Sequence, residues 1–272
     1  MSSLRQSDLR TSAMNGKPVL RGMPYVVETD GRRALHFTEV AIQSEMDVEA
    51  PLELLCEYTR TMMGFVLFNE APERIEMIGL GGGSLAKYCH ATLPATAITV
   101  VEISADVIAL RDAFLVPPDD ARFRVVCADG ADYVRQRAPA PDVVLVDGYD
   151  HDGQSPQLCT SGFYDHCYSR LAPGGVLVVN LWGSDTHFGV YTRRLRESFL
   201  NNVVVVPTEG GTNKVVFAFK DRAPPLDLDT LAAAAARLQP RHTLTLKPIA
   251  QQIAHRAVRL HGAPRRLWCE SI

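Results

Sequence analysis

None of the six cysteines forms a Cys-x-x-Cys pair, and no stretch approaches the roughly 18 apolar residues of a membrane span. Residues 1–17 are polar and lack the apolar core of a signal peptide. Several of Cys56, Cys89, Cys127, Cys159, Cys167 and Cys269 sit inside apolar runs, where a free thiol behaves as a small hydrophobe. A reduced, cytoplasmic protein is therefore expected. An excess of either charge is also missing, with 28 Lys and Arg against 31 Asp and Glu. That balance offers no field for nucleic acid or an anionic membrane, and neither partner is expected. His255 and His261 have no partner at metal-ligand spacing, so no metal is expected. Walker loops and Gly-x-Ser-x-Gly elbows are lacking too.

What is present is ordinary globular material, 46% hydrophobic and 22% charged over 272 residues. Residues 1–20 read as a leader. The segments 24–29 and 34–37 flank Asp30-Gly31, a strong hairpin turn pair, and a third extended piece is expected over 39–43. Helical spacing of Leu52, Leu55, Tyr58, Thr59 and Met62 predicts a helix over 51–63 with Pro51 in its first turn.

A strand–helix alternation then begins. Strands are expected at 74–80, 97–102, 123–127, 143–147 and 176–181, and helices at 84–90, 105–114, 131–137, 162–171 and 186–199. Strands that are apolar almost throughout are covered on both faces, so the fold class is α/β with a doubly wound parallel sheet. Residues 203–207 and 214–219 lie too close for a parallel crossover and must form an antiparallel hairpin. That ending fits the methyltransferase-type Rossmann sheet, preceded here by a small N-terminal β-piece. The expected division is 1–20, 21–70, 71–222 for the nucleoside-binding catalytic domain, and 223–272 for a basic helical tail. The tail, with Arg241, Lys247, Arg256, Arg259, Arg265 and Arg266, reads as a solvated appendage.

Three constellations carry chemistry. Gly79, Gly81, Gly82 and Gly83 follow the first parallel strand and open a helix at Ser84. Glycine permits the tight turn, and helix N-terminal N–H groups face the ligand. Glu102 closes the next strand about twenty residues on, placed to accept hydrogen bonds from both ribose hydroxyls of a nucleoside. A dinucleotide would want a sixth-position glycine where Ser84 stands. Asp129-Gly130 ends the third strand, where the acid can meet an adenine amine, cap a helix, or do both. Asp147-Gly148-Tyr149-Asp150-His151-Asp152 follows the fourth strand. Its carboxylates suit an amine, since one can hold an ammonium and another can take the proton of an attacking nitrogen.

In order and spacing these segments resemble the spermidine synthase (polyamine aminopropyltransferase) family. The likeness spans roughly residues 25–221 and includes Val40-Ala41-Ile42-Gln43, the glycine turn, Val101-Glu102-Ile103, Asp129-Gly130, Val146-Asp147-Gly148-Tyr149-Asp150 and Leu171-Ala172-Pro173-Gly174-Gly175. The resemblance implies decarboxylated S-adenosylmethionine as co-substrate, an amine such as putrescine as acceptor, no permanently bound cofactor, and a homodimer. It places Gln43, Gly79, Gly81, Gly83, Glu102, Asp129, Gly130 and Asp147 around the donor and makes Asp150 the general base. The chain departs from the family at four positions. The turn aspartate that contacts the aminopropyl group aligns with Gly82, an amine-pocket tyrosine aligns with Pro51, and His151 and Gln154 replace prolines. S-adenosylmethionine-dependent methyl transfer and a catalytically silent nucleoside-binding protein are the alternatives.

Overall fold

The computed structural model describes residues 13–14, 17–18, 23–38, 42–150, 153–208, 210 and 212–261. The N-terminal β-piece is a three-stranded antiparallel sheet of β1 (Tyr25–Thr29), β2 (Arg32–His36) and β3 (Ile42–Asp47). Asp30 and Gly31 turn the hairpin in the left-handed region. The third strand continues to Asp47, past the expected end at residue 43, and residues 39–41 of the expected stretch lie outside the described residues. Its alternation buries Ser44 and Met46 against the main body and leaves Gln43, Glu45 and Asp47 partly exposed.

Seven strands build the principal sheet: β4 (Arg74–Ile78), β5 (Ala97–Glu102), β6 (Phe123–Cys127), β7 (Val143–Val146), β8 (Val176–Trp182), β9 (Val203–Pro207) and β10 (Asn213–Phe219). Their spatial order is β9-β10-β8-β7-β4-β5-β6. The strands from β6 to β8 pair in parallel, while β10 runs antiparallel to both its neighbours, as the short connection requires. Successive strand residues serve opposite faces. Val143, Leu145, Val176 and Val178 join one core; Val144, Val146, Leu177, Val179 and Leu181 join the other.

Several expected helices are shorter. Helix α1 is Glu57–Met62, followed by a buried 3-10 turn, Met63–Leu67. Residues 51–55 stay open, and the Arg60 guanidinium binds the carbonyls of Leu54 and Leu55 at 2.6 and 2.8 Å. Pro51 is thus outside the helix. After α2 (Ser84–Thr92), α3 (Ala105–Ala109) stops before the expected residue 114, and α4 is only Gly130–Tyr133. Arg111 bonds the Pro117 carbonyl and Asp119, and Leu115 takes a positive φ, so the chain beyond α3 coils back toward β6. Helices α5 (Ser161–Arg170) and α6 (Phe188–Ser198) lie near their expected places.

Over its described residues, 223–261, the tail is not a solvated appendage; Arg265 and Arg266 lie outside the described residues. Helices α7 (Leu228–Leu238) and α8 (Leu246–His261) pack into the same core as β4 and α2. Leu246, Ile249, Ala250, Ile253, Ala254 and Ala257 form a buried stripe at helical spacing. Gly64 permits the approach, since a β-carbon there would stand 2.9 Å from both Ile249 and Ile253. No helix among the described residues is long and apolar enough to cross a membrane.

Candidate active site

The strand order reverses between β4 and β7, so the loops after these strands part and leave a crevice at their carboxyl ends. A cleft of about 530 Å³ occupies it, bounded by strand ends, by β3 and by α1. Gln43, Gly79, Gly81, Glu102, Asp129, Gly130 and Asp147 all line it. Gly83 stands behind the turn, where its φ of 68° opens α2 and a β-carbon would strike Val116. Gly79 is required by proximity, because a β-carbon would fall 2.2 Å from the Asp147 carbonyl.

Glu102 is buried and already oriented. One carboxylate oxygen accepts the Leu80 N–H at 2.8 Å, the other the Ser104 N–H at 2.9 Å. Each oxygen keeps a further lone pair for a ligand hydroxyl. Asp129 caps α4 by accepting from Ala131 and Asp132 through Oδ1, which leaves Oδ2 outside those contacts while the residue lines the cleft. Capping and ligand contact are compatible in this geometry.

At the other end, Asp147 Oδ1 accepts the Asn180 amide at 2.9 Å, and Asn180 in turn accepts from Asn213 at 3.0 Å. This amide chain crosses β7, β8 and β10. Burial lifts the Asp147 carboxyl above the ordinary range, against the pull of Asn180 and Tyr58, while burial and Asp147 together push the Tyr58 hydroxyl up. Tyr149 and Gly153 line the cleft, and the backbone of Tyr149–Asp150 pairs antiparallel with Gly153–Gln154, Asp150 opposite Gly153. His151 and Asp152 lie outside the described residues.

Ser44, Tyr58, Asn180, Trp182 and Asn213 also line the cleft, and sequence reasoning missed them. Asn180 and Trp182 end β8, so the strand-end rule that singled out Glu102 would have found them. Ser44 and Tyr58 arrive from the N-terminal piece and carry no comparable local signal. Among the described lining residues there are three carboxylates, Glu102, Asp129 and Asp147, and no lysine, arginine or histidine. A second hollow of about 830 Å³, between residues 222–227 and α8, has Arg222 and Asp227 as the charged groups among its described lining residues. It lies beyond Phe219, which pairs with the first residue of β8 and so marks the opposite end of the sheet.

Fold and cleft together define a methyltransferase-type Rossmann protein with an acid-lined cleft at its topological switch point. Residues 55–206, more than half of the chain, match the spermine/spermidine synthase domain model. The polyamine aminopropyltransferase of Chromobacterium violaceum is 36% identical over 231 residues, 84% of this chain and 88% of that protein. The chain belongs to the spermine/spermidine synthase family. Among solved structures, spermidine synthase from Thermotoga maritima shares the fold with a TM-score of 0.60 at 17% identity, covering 86% of this chain and 84% of that one. Human methyltransferase-like protein 13 in complex with SAH has a TM-score of 0.60 at 26% identity, covering 68% of this chain and 92% of that one.

Proposed function

We propose that the protein transfers the aminopropyl group of decarboxylated S-adenosylmethionine to an aliphatic amine such as putrescine. The observation that carries this reading is the cleft lining, acidic throughout its charged positions. Both substrates of such a reaction are cations, a sulfonium with a terminal ammonium and a di- or polyamine, and carboxylates gather both. Family membership and the aminopropyltransferase named at 36% identity support the same activity.

In this reading the Glu102 carboxylate accepts the ribose hydroxyls and Asp129 Oδ2 accepts from the adenine amine. The backbone at Gly79 and Gly81, bare of side chains, lets the sulfonium end of the donor approach the turn. The acceptor nitrogen donates its lone pair to the propyl carbon bonded to sulfur, the C–S bond breaks, and its electrons neutralise the sulfonium to a thioether. Asp150 takes the proton released from the new secondary amine. Asp147, held by Asn180, faces the acceptor from the cleft floor. Much of the acceleration comes from holding nitrogen, carbon and sulfur in line.

A second reading, methyl transfer from S-adenosylmethionine, is favoured by one observation: a side chain at Gly82 would meet Ser44 and Phe114, so no acid can stand in the turn without displacing them. The two separate by product. Incubation with putrescine and each donor in turn should release methylthioadenosine from the decarboxylated donor. Failure with every di- and polyamine tried, together with S-adenosylhomocysteine formation from S-adenosylmethionine, would reverse the choice.

A further inference from the structure

The cleft is longer than a nucleoside needs. Glu102 ends β5 and Trp182 ends β8, three strand positions apart, which is about 14 Å at the spacing of neighbouring strands. The stretch beyond Asp147 is therefore the acceptor end, and Trp182 stands at its limit.

Trp182 is 42% exposed although it lines the cleft. Its backbone is fixed twice, through donation to Gln154 Oε1 at 3.1 Å and through pairing opposite Asn213. The ring edge lies against Gly153, whose β-carbon would sit 3.9 Å from Cε3 and Cζ3, and φ of +121° there disfavours any other residue. The nearest basic side chain along the sheet, Lys214, is turned away and sits 4.2 Å over the Phe188 ring. Among the described residues no lysine or arginine covers the indole. An anchored, half-open indole in an acidic cleft is a receptor for a cation on a flexible aliphatic chain.

We propose that Trp182 determines acceptor specificity, its indole receiving the non-reacting ammonium and adjacent methylenes of a di- or polyamine while the other nitrogen attacks. This assignment rests on the aminopropyl-transfer reading. It makes the indole face the feature that separates diamines from monoamines. A monoamine of the same length has nothing to place there.

Two measurements test it. Trp182→Leu should raise the KM for putrescine about tenfold and leave kcat within about twofold, and Trp182→Phe should recover most of the loss. Unchanged methylthioadenosine affinity shows that each variant is folded. Equal KM in the wild type and the Leu variant, or a Phe variant no better than Leu, overturns the assignment. The chain has two tryptophans, so a Trp268→Phe protein reports from Trp182 alone. With methylthioadenosine bound, putrescine should shift or quench its emission, and butylamine at equal concentration should not. Turnover with unmoved emission sinks the assignment alone; absence of both turnover and amine binding in the unaltered protein sinks the aminopropyl reading with it.

Discussion

The hydroxyl of Ser44 stands 2.6 Å from the point a β-carbon on Gly82 would occupy, and the Phe114 ring edge stands 3.0 Å from it. Strand β3, with Phe114, occupies the space that a side chain in the glycine turn would fill. Gly82→Ala should cost about 1–3 kcal/mol, the usual penalty for overpacking a buried site. Ser44→Gly in the same protein should recover a large part of that stability. Denaturant unfolding of the two single variants and the double variant measures the coupling, and additive effects would contradict the contact.

Glu102 accepts two backbone N–H groups before any ligand arrives. Glutamine supplies only one acceptor oxygen and points an NH₂ at the other donor. Glu102→Gln should therefore weaken methylthioadenosine binding by roughly 30-fold or more, because one N–H is left unpaired and the ribose hydroxyls no longer meet a charged acceptor. Calorimetric titration checks it. Affinity within twofold of the wild type would place the ribose elsewhere.

Asp150→Asn should keep nucleoside affinity and lower kcat by about 10²–10⁴, the usual range for losing a general base. Methylthioadenosine binding and single-turnover product formation are the paired measurements. Unaltered turnover would transfer the role of base to another group.

Lys87 is buried behind the turn, with its ammonium 2.8 Å from the Phe114 carbonyl. Burial first, and Arg33 second, lower its pKa to about 8 from 10.5. Between those values the unfolded chain holds the proton that the folded chain has released, so stability rises with pH across this window and is flat below it. Relative to Lys87→Met, the wild type should gain roughly 1–3 kcal/mol between pH 7 and pH 10.5. Urea unfolding of both proteins at the two pH values reads the difference, and parallel curves would refute it.

Much of this site was legible because its signals are local. A glycine turn after an apolar strand, and acids at or just past the ends of the next three, are local features of the sequence, and the structure brings Gly79, Gly81, Glu102, Asp129 and Asp147 to one cleft. The fold class followed from the same alternation. Helix ends were less legible because tertiary contacts set them: Arg60 holds residues 54 and 55 out of α1. The stripe from Leu246 to Ala257 was present in the sequence, but the interspersed Lys247, Gln251, Gln252, His255 and Arg256 suggest a solvated helix when read alone. Ser44 and Tyr58 reach the cleft from a separate sheet and from α1, and periodicity carries no information about such long-range arrivals.

The position of β10 has a consequence for biosynthesis. The strand made last occupies an interior place, between β8 and β9. Until residues 213–219 have left the ribosome, the four consecutive valines of β9 have no neighbour, and β8 ends the sheet as a second bare margin. A nascent chain that has emerged only to between residues 207 and 213 therefore displays two unprotected strands of high β-propensity at once. Completing a single further strand satisfies both.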